Sequence, residues 1–140
     1  MAKFEKILVP LDGSPNSMRG LDKAISIAKA SDAEITGFYV FHVPLLAGIK
    51  YTAKMKDDVQ KRAVKAIGPA MQKCDRAGAR FQHKTGGGNT ANEIINAAKK
   101  GNYDMIVIGA RGHGNAKDAF LGSVSNSVMH KSKIPVLIVK

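Results

Sequence analysis

The sequence predicts a single α/β domain in which a doubly wound, five-stranded parallel sheet carries helices on both faces. Three observations predict it: short apolar runs recur along the chain, segments with apolar residues every three or four positions separate them, and glycine-rich or Ser/Asp turns mark the junctions. Runs that are apolar throughout suit strands buried on both faces, and parallel neighbours require right-handed crossover connections.

The first strand is read from Ile7 to Leu11, followed by Asp12-Gly13-Ser14-Pro15. Ser14 suits an N-cap and Pro15 the first helical position. The helix that follows buries Leu21, Ala24, Ile25 and Ala28 and ends near Ser31-Asp32. Glu34 to Val43 is too β-branched and aromatic for a helix and reads as a second strand, ended by Pro44. Leu45 to Thr52 is apolar without a period, which fits a loop lying over the body or a contact surface.

Met55, Val59, Ala63, Ala66, Ile67, Ala70, Met71 and Cys74 keep helical spacing and make this the longest helix. Gly68-Pro69 predicts either a kink or two shorter helices, and Gly78 closes the segment. Ala79 to Thr85 is a weaker strand running into Gly86-Gly87-Gly88. Thr90-Ala91-Asn92-Glu93 has the pattern of a capping box, and Ala91, Ile94, Ile95 and Ala98 form the buried stripe of the next helix. Asp104 to Gly109 is the fourth strand, Leu121 to His130 the fourth helix with Val124, Val128 and Met129 inward, and Pro135 to Val139 the last strand.

The 140 residues suffice for one domain with a proper core. Composition, 44% hydrophobic and 24% charged, is that of a soluble protein, with no apolar run of the ~20 residues that span a bilayer. The start lacks a secretory h-region, and the single Cys74 cannot form an internal disulfide, so a cytoplasmic location is expected. Cys74 lies on an apolar face and reads as a small buried hydrophobe. A net charge of +11 favours anionic partners, but the lysines are scattered and few aromatics accompany them, so a solvated basic surface is expected in place of a nucleic-acid site.

A sheet of order 3-2-1-4-5 reverses direction between strands 1 and 4, and ligands of such sheets bind at the carboxyl ends beside that reversal. Two loops meet there: Asp12-Gly13-Ser14, and the glycine-rich stretch from Gly109 to Ser125. Glycines let backbone N–H groups approach phosphate oxygens, and a helix start adds unpaired N–H groups and a dipole. A Walker loop is absent. Gly86-Gly87-Gly88-Asn89-Thr90-Ala91 satisfies GxGxxA, yet it stands in mid-chain after a polar strand and reads as a tight connection. The remaining pattern is Gly109-x-x-Gly112, nine residues, then Gly122-Ser123.

With KILVPLDGS at the start, FHV closing the second strand, YDMIVIGARG and the terminal IPVLIVK, this spacing resembles the universal stress proteins, in the branch that carries GxxG, nine residues, G(S/T). The resemblance covers the whole chain and implies an adenine nucleotide alpha hydrolase-like fold. It implies that ATP or AMP lies across the crevice, with Asp12 and the backbone near Val40 on the adenosine and Pro10 and Gly13 shaping the floor. Gly109, Arg111 and Gly112 would line ribose and phosphates, while Gly122, Ser123, Val124 and Ser125 would present backbone N–H and hydroxyl groups to the phosphate chain. Read without the resemblance, Ser123 and Ser125 also fit plain helix caps. His113 and Gly114 fall at free positions of the motif. The family usually has a proline in the loop after the third strand, and this chain has none there.

No nucleophile, base and orienter set stands out, and His42, His83 and His130 are separated. No metal site is expected from protein alone, although Asp12 would lie near a magnesium ion riding on bound phosphates. The expectation is an ATP-binding regulator of the stress response, with hydrolysis slow or absent. The apolar Val136 to Val139, as an edge strand, invites pairing with a second copy, and the resemblance implies such a homodimer. The alternatives are a protein-interaction module docking through Leu45 to Thr52 and, behind it, a basic nucleic-acid-binding domain.

Overall fold

The computed structural model describes residues 4–42, 52–111 and 121–140. Strands β1 (Lys6–Pro10), β2 (Glu34–Phe41), β3 (Phe81–Gly87), β4 (Met105–Gly109) and β5 (Val136–Val139) alternate with helices α1 (Pro15–Ser31), α2 (Ala53–Ala77), α3 (Thr90–Lys100) and α4 (Ser123–Lys131). The sheet is parallel throughout, in the order β3-β2-β1-β4-β5. The chain therefore winds one way from β1 through β2 to β3 and the other way through β4 to β5, which places the reversal between β1 and β4.

Alternation along each strand divides the core between the two faces. Ile7, Val9, Ile35, Met105 and Val107 pack with Leu21, Ala24 and Ala28 of α1 and with Ile67, Ala70 and Cys74 of α2. Leu8, Phe38, Ile106 and Ile108 pack with Ala91, Ile94 and Ala98 of α3 and Val128 of α4. β1 and β4 lie between both clusters, which is why Ile7, Leu8, Ile106 and Val107 are fully buried. Burial also pushes the Cys74 thiol up to about 11, because the thiolate would have to leave water, so Cys74 behaves as a core side chain.

Several boundaries differ from the sequence reading. β2 ends at Phe41, before His42, and Val43 to Tyr51 lie outside the described residues, so the proposed contact segment Leu45 to Thr52 is described only at Thr52. Thr52 is the N-cap of α2, its hydroxyl accepting from the Met55 N–H. α2 does not divide at Gly68-Pro69 but runs unbroken for 25 residues. Pro69 and Lys65 are both exposed, so the Lys65 carbonyl that loses its helical donor faces water, while Ala66, Ile67 and Ala70 hold the inner face. Met71, expected inward, is exposed.

β3 begins at Phe81 and extends through Gly86 and Gly87, which pair with Val40 and Phe41. A Cβ on Gly86 would stand 3.0 Å from the Phe38 ring and 3.3 Å from the Glu93 carboxylate, so both side chains would have to give way. The cap of α3 is Asn89 and not Thr90: Asn89 keeps an extended backbone, and its side chain accepts from the Asn92 N–H at 3.0 Å. α4 starts at Ser123, leaving Leu121 outside the helix, and Met129 points outward, 41% exposed.

α1 approaches the end of β4 unusually closely. A Cβ on Gly20 would lie 3.2 Å from the Gly109 nitrogen, and one on Gly109 would lie 2.8 Å from both the backbone and side-chain oxygens of Asn16. Gly109 is therefore demanded by helix packing. We expect Gly109→Ala to lower unfolding free energy by about 1–3 kcal/mol through overpacking. Gly68→Ala, where the added Cβ meets nothing within 4 Å, should be neutral or stabilising by up to about 1 kcal/mol. Urea denaturation of both variants checks this; a Gly109→Ala protein as stable as the parent would refute the close-approach reading.

Candidate functional site

At the carboxyl ends of β1, β2 and β4 the sheet opens into a cleft of about 450 Å³. Its position follows from the winding: α1 leaves β1 toward one face and α4 follows β4 toward the other, so among the described residues the strand ends between them stay open. Leu11, Phe38, Val40, Ile94 and Ile108 give the cleft an apolar wall. Arg111 and the start of α4, Gly122 to Ser125, give it a polar end.

That polar end suits an anion. α1, α2 and α3 each have a side-chain cap, from Ser14, Thr52 and Asn89, whereas α4 has Gly122 as N-cap and no side-chain cap bond. The first helical hydrogen bond of α4 runs from the Asn126 N–H to the Gly122 carbonyl. Ser123, Val124 and Ser125 therefore start the helix with N–H groups that have no intrahelical acceptor, at the positive end of the helix dipole. Arg111 adds a full positive charge beside them.

The two ends of the glycine-rich stretch are fastened through Ala110, which is buried. Its N–H donates to the Val139 carbonyl at 2.7 Å, and its carbonyl accepts from the Gly122 N–H at 2.7 Å and from the Ser125 hydroxyl at 2.7 Å. Asn16, in the first turn of α1 and also buried, accepts from the Arg111 N–H and donates from Nδ2 to the same Val139 carbonyl at 3.1 Å. On the β1 side the Asp12 carboxylate accepts from the Ser14 N–H at 2.8 Å, shaping a turn in which Gly13 has φ of 83°.

Of the residues singled out from sequence, Pro10, Asp12, Val40, Gly109, Arg111, Gly122, Ser123, Val124 and Ser125 all line this cleft. Gly13 does not line it and serves the turn. Gly112, with His113 and Gly114, lies outside the described residues. The capping alternative for the two serines does not hold, since Gly122 is the cap and the Ser125 hydroxyl bonds the Ala110 and Gly122 carbonyls. Gly122 also has a different reason from the one its spacing suggested: its Cβ would stand 3.1 Å from the Ala110 oxygen, in the junction and not in open cleft.

Sequence reasoning missed Leu11, Ser17, Phe38, Thr90, Ile94, Ile108 and Ala110 as lining residues, and Asn16 as the link behind them. The apolar ones look like ordinary core in sequence. Asn16 carried a faint signal, a polar residue directly after the N1 proline on the side of α1 that also presents Gly20. Among the described residues no group of three or more His, Cys, Asp or Glu side chains could hold a metal ion, and no helix is long and apolar enough to cross a membrane.

The model of the universal stress protein family matches residues 3–140. Universal stress protein YxiE of Bacillus subtilis is 35% identical over 147 aligned positions, covering 98% of this chain and 99% of that protein. Among solved structures, universal stress protein UspA from Lactobacillus plantarum superposes with a TM-score of 0.87 at 21% identity, covering 100% of both chains. A universal stress protein solved in complex with cAMP superposes with a TM-score of 0.77 at 28% identity, covering 99% of each. On the matched length, the shared fold and the identity to its relatives, the chain belongs to the universal stress protein family.

Proposed function

We propose that the cleft binds an adenine nucleotide, ATP or AMP, and that the protein acts as a nucleotide-dependent regulator in the cytoplasmic stress response. The observation that carries this reading is the division of one cleft into an apolar wall and an uncapped helix start beside Arg111. A nucleotide is divided in the same way, into a flat base that gains from leaving water and a phosphate chain that needs N–H donors and positive charge. The related structure holding cAMP supports a nucleotide as ligand class. Magnesium would enter on the phosphates, and Asp12 is the single carboxylate among the described lining residues that could face it. With Asp12 as the one carboxylate and no histidine among the described lining residues, the cleft is better suited to holding ATP than to splitting it.

A homodimer through β5 belongs to the same reading. The two sheet edges differ: β3 exposes Gln82, His83, Lys84 and Thr85, while β5 is Val-Leu-Ile-Val with Leu137 37% exposed. Polar and charged residues discourage edge pairing, and a short apolar edge invites it.

Native mass spectrometry of freshly purified protein should find an adenine nucleotide, or calorimetric titration should find ATP binding. Gly122→Val should weaken that binding at least about tenfold by driving the start of α4 away from Ala110, a loss of about 1.4 kcal/mol. No copurified nucleotide and no binding of added ATP would reject the proposal. Size-exclusion chromatography with light scattering should give a dimer at micromolar concentration; a monomer there would reject pairing through β5.

A further inference from the structure

We infer that Asn16 is a positioning residue for the nucleotide cleft: by orienting the peptide plane between Ala110 and Arg111, it sets where the start of α4 points. The inference rests on the nucleotide-site reading and adds to it a residue that does not itself line the cleft.

Asn16 accepts a hydrogen bond from the N–H of Arg111. That N–H belongs to the same peptide unit as the carbonyl of Ala110, which accepts from the Gly122 N–H and the Ser125 hydroxyl. The described peptides are all trans, and a trans peptide is planar, with its N–H and C=O pointing in opposite directions. Fixing the direction of the N–H therefore fixes the direction of the carbonyl. One side of the plane is gripped by α1 through Asn16, and the other grips the first turn of α4. The helix start that faces the cleft takes its alignment from α1 across this single plane.

The chemistry also explains why the residue is asparagine. Its two partners are of opposite kind: Arg111 offers a donor and the Val139 carbonyl an acceptor. A carboxylate could take the first but not donate to the second, and an aliphatic side chain could serve neither. A glutamine would be one methylene too long for a site where Gly109 already admits no Cβ. Loss of the side chain would not affect the partners equally. The Val139 carbonyl keeps its bond from the Ala110 N–H, whereas the Arg111 N–H loses its Asn16 acceptor. The plane loses its tie to α1 through Asn16 while its carbonyl still holds the start of α4, and β5 stays anchored.

The test compares the parent protein, Asn16→Ala and Ile67→Val, the last lying in the α2 core away from the cleft lining. ATP affinity is measured by calorimetry well below the melting point of each. We expect Asn16→Ala to bind ATP at least tenfold more weakly and Ile67→Val to match the parent. Amide hydrogen exchange on the ligand-free parent should find the Arg111 amide protected despite its place at the cleft mouth, and faster exchanging in Asn16→Ala. Equal ATP affinity of Asn16→Ala and parent, or an Arg111 amide in the parent that exchanges as freely as an unstructured one, would overturn the role of Asn16. If the parent binds no ATP, the nucleotide reading itself fails. Should Asn16→Ala not fold, the exchange measurement on the parent still decides.

Discussion

One peptide unit, the plane joining Ala110 to Arg111, holds the functional end of this molecule together. It lies one residue beyond the end of β4 and is gripped from two sides, with a further tie on the peptide before it. Val139 at the end of β5 accepts from the N–H just before it, Asn16 of α1 accepts from its N–H, and Gly122 and Ser125 of α4 donate to its carbonyl. Everything near it is shaped by the need for close approach. Gly109 admits α1, Gly20 lets that helix lie against the strand, and Gly122 lets the returning chain reach the Ala110 carbonyl. Glycines that could be assigned to ligand contact are thus also needed to bring backbone against backbone. The cleft is a consequence of that construction, because the close junction leaves the first N–H groups of α4 facing outward without a cap.

The rest of the fold is support for this junction. β1 and β4 are buried on both sides and fix the two strand ends between which the cleft opens. α1 and α2 cover one face and α3 and α4 the other, so Phe38, Ile94 and Ile108 come to the cleft as the upper edge of the second core. An apolar wall beside a helix start suited to anions needs no added machinery: here a core ends at strand termini next to an uncapped helix.

Much of this was legible in the sequence, for stated reasons. Buried parallel strands write themselves as runs such as Ile7-Leu8-Val9 and Met105-Ile106-Val107-Ile108, and helices as stripes such as Leu21, Ala24, Ile25 and Ala28, so the alternation of elements and a parallel sheet could be read. Gly109 and Gly122 marked one side of the cleft and Asp12 another. What could not be read turned partly on solvent exposure and the choice of cap and partly on contacts distant in sequence. Pro69 sits within an unbroken helix because its outer face is solvated, the α3 cap shifts to Asn89, and Gly86 and Gly87 stay in β3 through pairing with Val40 and Phe41. Asn16 lies 95 residues from Arg111 and 123 from Val139, and no local pattern announces such a bridge.

The central claim is that base and phosphates divide between the apolar wall and the start of α4. The most direct measurement is an amide-resolved NMR titration of the protein with ATP. The largest shift changes are expected at the backbone amides of Ser123, Val124 and Ser125, with a second group around Val40 and Leu11 and little change along α2. Changes confined to other surfaces, or saturation of the protein with ATP while the three α4 amides stay in place, would contradict it.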